Sequence, residues 1–295
     1  MPQIIRKAFT LIELLVVIAI IGILSSLIVV SMSGVTEKAN IAKSQVFSNS
    51  LRNSLMLNIV SEYKMDGNAN DSWGTNNGTI NSVPVITPDC VSGSCYYFDG
   101  GDDYISIPDS NTLDITDAMT LEVWVNITSL QANNYEYIIR KTAAEPNQAT
   151  LYGLLMGYNN AIVRFFLWTE NNAGCVNAVD SISTLSLSKW YHLVATYDYI
   201  SHISKMYING VLDNSSSTIA TGKIRVNTNT LYLSHRQDGT LYFNGLMDGV
   251  RIYNSAMPNS QIKESYYSGL NSLLINGGIT QEDYLSRLNN YASNN

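Results

Sequence analysis

Leu121-Glu122-Val123-Trp124-Val125-Asn126-Ile127 decides the fold. Successive side chains of a strand point to opposite faces, so Leu121, Val123, Val125 and Ile127 share one apolar face. Trp124 falls on the other, where it is either packed against a second layer or exposed. The same reading extends outward. Ile59 to Met65, Ile162 to Leu167, Tyr191 to Tyr197, Leu231 to Leu233 and Phe243 to Tyr253 read as further strands, with turn residues between them. Met206 to Leu212 is a hairpin closed by Asn209-Gly210, a dipeptide suited to the positive φ angles of a type I′ turn. About a dozen short strands in roughly 200 residues, with almost no helix, imply an all-β sandwich.

The amino-terminal end has a different period. Arg6-Lys7-Ala8-Phe9-Thr10-Leu11-Ile12-Glu13 precedes Leu14 to Val35, a run without one charged residue. At about 1.5 Å per residue the run makes a helix of roughly 33 Å, enough to cross a bilayer. Arg6 and Lys7 keep the amino end cytoplasmic, so the bulk of the chain is exported. A secretory signal peptide has a shorter apolar region with a small-x-small site after it, and no such site stands out here. A carboxylate at membrane depth needs a partner, and a cut between Ala8 and Phe9 supplies one. The new amine of Phe9 lies four residues before Glu13 on the same helix face, able to pair within its own chain or with a packed neighbour. Beyond the run, Ala39, Ala42, Val46, Phe47, Leu51 and Leu55 form the apolar stripe of an amphipathic helix. Gly22 and Gly34, both within the apolar run, are the weak points of the long helix, each costing about 1 kcal/mol relative to Ala.

Lys7 to Leu14 resembles the class III signal of type IV pilins and secretion pseudopilins, with Ala8 where that family usually has Gly. The resemblance implies cleavage after Ala8, methylation of Phe9, and polymerisation through the helix with Glu13 paired to an amine. A second resemblance covers the rest. Tyr97 to Ile105, Trp190 to Asp198, Tyr207 to Gly210 and Phe243 to Tyr253 look, in order, like strands of the laminin G-like, concanavalin A-like jelly roll. Gly249 stands where its closing strand usually has an acidic residue. After the sandwich, Pro258 to Tyr267 reads as a short helix ending near Gly269, and Thr280-Gln281-Glu282-Asp283 opens another with Leu285, Leu288 and Tyr291 on one stripe. Asn271 to Asn290 is similar to small helical hairpins that dock or cap the ends of bacterial proteins. The chain thus divides into a leader (1–8), a helix (9–57; membrane-spanning over 11–35, amphipathic over 36–57), a jelly roll (58–270) and a helical tail (271–295).

The formal charge of -7, with no basic cluster, argues against nucleic acid as a partner. Tyr, at 19, outnumbers Lys plus Arg, at 17, a composition suited to an exported β-rich surface protein. Cys90 and Cys95 bracket a short loop, and an oxidising exterior lets them pair, stabilising by about 2 kcal/mol on a chain-entropy estimate. Cys175 is left over in a turn, and His192, His202 and His235 lack metal-ligand spacing.

The jelly-roll resemblance implies one structural calcium ion. The preferred grouping is Asp71, Asn76 and Asn77 with Asp248; Asp99, Asp102 and Asp103 form a second. The alternative for both is that Asp and Asn simply bond the backbone in turns. Lectin-like sites stack a sugar on an exposed aromatic, and Trp73, Trp168, Tyr135 and Tyr158 fall near loops or strand ends, whereas Trp190 matches a core position. Retaining glycosidases on this scaffold carry Glu-x-Asp-x-Glu along one strand, and here Glu122 and Glu170 stand alone, so catalysis is not expected. The expected function is a pilus or pseudopilus subunit displaying a lectin-like domain. It is held in the inner membrane as a precursor, and then lies in an extracellular filament or at the cell surface. Its partners are copies of itself, the prepilin peptidase and assembly machinery, membrane lipid before assembly, and a glycan or surface ligand. The alternatives are a minor or tip pilin, or an adhesin anchored by a single span.

Overall fold

The computed structural model describes residues 11–12, 14–21, 58–82, 84–88, 90–131, 135–142, 150–157, 161–235 and 241–293. Two compact units result, residues 1–50 and residues 51–295. In the first, residues 11–12 and 14–21 are helical with open apolar side chains, Leu11 being 80% exposed. Ala8, Phe9, Glu13, Gly22, Gly34 and the amphipathic stretch 36–57 lie outside the described residues. Among those described, no helix is long and apolar enough to cross a membrane.

The second unit is a sandwich of two antiparallel sheets with two helices after it. The strands are β1 (Ile59–Tyr63), β2 (Thr79–Asn81), β3 (Val85–Thr87), β4 (Cys95–Asp99), β5 (Tyr104–Ile107), β6 (Ala118–Ile127), β7 (Glu136–Thr142) and β8 (Thr150–Met156). They continue as β9 (Val163–Leu167), β10 (Val176–Asp180), β11 (Trp190–Asp198), β12 (Ile203–Ile208), β13 (Val211–Ser216), β14 (Leu231–Leu233) and β15 (Asn244–Tyr253). The first sheet runs β13-β12-β11-β6-β15-β4-β3, with β1 also on β15; the second runs β10-β9-β8-β7-β14-β5-β2.

β15 holds the first sheet together. One edge pairs with β6; the other pairs with β4 over Asn244–Met247 and with β1 over Val250–Tyr253. Gly249 sits between those stretches with φ +56°, where the register against β6 shifts. A bulge of this kind favours a residue without Cβ, which accounts for glycine in place of an acidic side chain.

Leu121, Val123, Val125 and Ile127 are all fully buried between the sheets, against Leu154, Phe165 and Leu231. Asn209 and Gly210 close the β12–β13 hairpin with φ +52° and +76°, as a type I′ turn requires. The outer face of the first sheet is roofed by α1 (Asn259–Ile275) and α2 (Gln281–Ser293). Trp124 is therefore packed, only 1% exposed, stacked on Tyr266 of α1 at 5.8 Å. The first helix does not end near Gly269. It runs on to Ile275, and Gly277 (φ +81°) makes the stop, with the Gly278 and Gly277 N–H groups donating to the Leu273 and Leu274 carbonyls. Gly269 instead lets the helix approach the sheet, since a Cβ there would lie 2.4 Å from Trp124 Cζ2. Thr280 caps α2 through its hydroxyl, 3.1 Å from the Asp283 N–H.

Candidate functional site

The loop between β1 and β2 is organised by Asp71. Its Oδ1 accepts the N–H groups of Glu62, Trp73 and Gly74 at 2.9–3.0 Å, and its Oδ2 accepts that of Asn76 at 3.1 Å. Asn77 Oδ1 accepts the Asp71 N–H at 3.0 Å. Asn76 Nδ2 donates to Ser61 Oγ and Thr112 Oγ1 at 2.8 and 2.9 Å, tying the loop to the turn before β6. Asp71, Asn76 and Asn77 thus gather in one loop, with their oxygens engaged by N–H and O–H donors of the protein.

Asp248 is placed elsewhere. It is fully buried on β15, and it accepts the Ser92 N–H at 2.9 Å while its Oδ1 has no hydrogen-bond partner. Burial pushes its carboxyl up to about 7. In the other acidic group, Asp99 accepts the Gly101 N–H at 2.7 Å and Asp102 accepts the Ser82 hydroxyl at 2.9 Å. Among the described residues, no three His, Cys, Asp or Glu side chains are arranged to hold a metal. Cys90 and Cys95 are joined by a disulfide, and burial pushes the Cys175 thiol up to about 12, far from a reactive thiolate.

Glu122 is not alone, because its partners come from other strands and from α1. Oε1 is 2.9 Å from His192 Nε2 and 3.2 Å from Arg251 Nη1, and it accepts the Ser265 hydroxyl; Oε2 accepts the Tyr253 hydroxyl at 2.7 Å. Arg251 also donates to Glu62 Oε1 at 2.8 Å. Burial alone would raise the Glu122 carboxyl, but the Arg251 charge and the His192 hydrogen bond together hold it well below the usual range. Glu122 and His192 are wholly inaccessible, and the Ser265 bond fastens α1 to the sheet through this network. Each link joins residues far apart in sequence, and no local pattern could have found it.

Of the four tryptophans, Trp73 alone is exposed, at 39%. Trp190 is 3% exposed, in the apolar layer under the helices. Trp168 is half-buried, its Nε1 donating to the Asn172 carbonyl and its ring lying beneath Arg225. Tyr135 lies beneath Arg164, and Tyr158 is outside the described residues. Trp73 borders a groove of about 510 Å³ whose other wall is the turn leading into β6. A volume of this size suits a small ligand. The groove was invisible in the sequence, because its walls are about 40 residues apart in the chain.

A family model described as the concanavalin A-like lectin/glucanases superfamily matches residues 99–263, and one described as the prokaryotic N-terminal methylation motif matches residues 5–29. No curated protein matches the chain. Among solved structures, domain 4 of AbnA, a GH43 extracellular arabinanase from Geobacillus stearothermophilus, in complex with arabinotriose, is similar over 70% of this chain and 97% of that one (21% identity, TM-score 0.55). The binding domain of Paraclostridial Mosquitocidal Protein 1 is similar over 74% of this chain and 53% of that one (15% identity, TM-score 0.58). The receptor binding domain of botulinum neurotoxin mosaic serotype C/D is similar over 73% and 52% (16% identity, TM-score 0.55). The chain thus spans about half the length of the two toxin domains. At these identities the likeness shows a shared fold alone.

Proposed function

The chain belongs to the concanavalin A-like lectin/glucanases superfamily and opens with a methylation motif, and from that premise we propose that it is a subunit of a type IV pilus or pseudopilus that displays a glycan-binding domain. The observation that carries this is the order of the two parts in one chain, the motif at 5–29 and the lectin-like domain at 99–263. The precursor sits in the membrane with its amino end inside. Cleavage after Ala8 frees the Phe9 amine, which is then methylated and keeps its charge. Subunits polymerise through the helix of residues 9–57, Glu13 pairing with an amine. The open apolar side chains from Leu11 to Ile21 support this reading. They need lipid first and neighbouring helices afterwards, and each Å² withdrawn from water contributes about 25 cal/mol.

The domain binds and does not catalyse. Glu122, the glutamate with the most side-chain partners among the described residues, is sealed beneath a helix and committed to four side chains. Mass spectrometry of the amino terminus in the native host tests the assembly half. A methylated Phe9 terminus is expected; protein that still begins at Met1 overturns it and leaves an adhesin on a single span.

A further inference from the structure

We propose that the groove beside Trp73 is the glycan subsite of this domain and that it takes neutral sugars in preference to anionic ones. This rests on the glycan-binding reading above and assigns it a place and a charge class.

The platform is the indole of Trp73. Its backbone N–H and that of Gly74 are both held by Asp71 Oδ1, so the loop is set before a ligand arrives. An aromatic face fixed in advance and left open to water has little ordering to do on binding. The opposite wall supplies the hydrogen-bonding groups a sugar needs: Asn111, Thr116, Asp114 and Asp117, with Asn254 completing the rim. Carboxamides, hydroxyls and carboxylates together both donate to and accept from ring hydroxyls.

Asp114 is the acidic side chain of the opposite wall. It lines the groove, and its Oδ1 is buried without a hydrogen-bond donor. The nearby Lys141 Nζ is 3.9 Å away and is already bonded to Asp109 and to the Asn229 carbonyl. The Asp114 side chain as a whole is 25% exposed, so it presents an accepting edge to the groove, while Lys141 and the Asn227 backbone N–H lie against the rest of the carboxylate.

Charge decides the class of sugar. The groove is lined by two carboxylates and by no Lys or Arg. The cations beside it are committed, Lys141 to Asp109 and Lys223 to Asp117 at 2.7 Å. A uronate or sialate carboxylate entering there would face Asp114 with no cation to receive it, and like charges at short range repel. A neutral hexose or pentose brings only hydroxyls. The half-buried Arg164 and the exposed Arg225, by contrast, lie over Tyr135 and Trp168, outside the groove.

The test uses the full chain in a detergent without a sugar headgroup. Neutral oligosaccharides (arabino-, xylo-, manno- and gluco-series) and anionic ones (sialylated and galacturonate) are titrated by indole fluorescence and calorimetry. Wild-type protein is expected to bind at least one neutral series, with a blue shift, and anionic sugars at least tenfold more weakly. Trp73→Ala, at an exposed position, should melt at the wild-type temperature, lose the shift and bind at least tenfold more weakly; Trp73→Phe should recover part of the affinity. Equal binding by wild type and Trp73→Ala overturns the groove assignment and leaves the glycan reading standing. Preference for anionic sugars overturns the charge class. No binding to any sugar by the wild type overturns the glycan reading itself, and this inference with it.

Discussion

Gly269→Ala sets two effects of opposite sign against each other. Replacing glycine in a helix interior stabilises by about 1 kcal/mol, because alanine restricts the unfolded chain. Here the new methyl would lie 2.4, 2.7 and 2.9 Å from three atoms of the Trp124 indole. Those atoms belong to a rigid ring pinned between Tyr266 at 5.8 Å and His192 at 4.9 Å, so neither partner has a flexible end to withdraw. Overpacking of this kind costs about 1–3 kcal/mol, and contacts this short belong at or beyond the upper end. The net effect is a loss of about 2 kcal/mol, a fall in Tm of roughly 4–8 °C for a domain of this size. Thermal melting of the full chain, followed by near-UV circular dichroism, measures it. Trp124→Phe in the same background removes the clashing atoms and should recover part of the loss, appearing as coupling in a double-mutant cycle. A Tm at or above the wild-type value, or strictly additive variants, would refute the claim that α1 bears directly on this ring.

Other outcomes follow from the same structure. Asp248 favours its protonated form in the fold, so stability declines as pH rises from the unfolded value near 4 through about 7, by about 4 kcal/mol in all. Asp248→Asn should therefore raise Tm at pH 8 and leave it nearly unchanged at pH 4; an equal effect at both would contradict this. Glu122 has the opposite sign: its folded carboxyl is held low, so the stability it contributes is present above about pH 4 and is lost as pH falls further. Glu122→Gln should flatten the acid limb of the melting profile, and an unaltered limb would count against it. Asp71→Ala removes the acceptor of four N–H groups and should cost about 2–4 kcal/mol equally in calcium and in chelator. A loss confined to the calcium-containing buffer would instead assign Asp71 to a metal. Glu13→Ala should leave membrane insertion intact and block filament formation, and normal filaments seen by electron microscopy would remove the pairing argument.

Local patterns carried the parts of the fold that depend on neighbours in sequence. The alternation from Leu121 to Ile127 identified its buried face, and Asn209-Gly210 identified its turn, because side-chain direction and φ are local properties. β8 was harder: Thr150 to Met156 is buried on both faces and shows no alternation. The true helix stop was missed because Gly269 looks like a terminator until Trp124, distant in sequence, explains its lack of a side chain. Alternation put Glu122 and Trp124 on one face, but only the folded chain shows that a helix covers that face. Trp73 was legible as a candidate; the Asp71 bonds that hold its loop and the wall opposite were not.

The place of β15 bears on the order in which the sandwich can close. It is the last strand made, yet it lies in the middle of the first sheet and receives β1, the first strand made. Thus the first strand of the sandwich must wait for its sheet partner until nearly the whole domain has been synthesised. The roofing helices come later still. A nascent chain arrested before α1 would present Glu122, Trp124 and Trp190 bare, a signal that chaperones and proteases can read as unfinished.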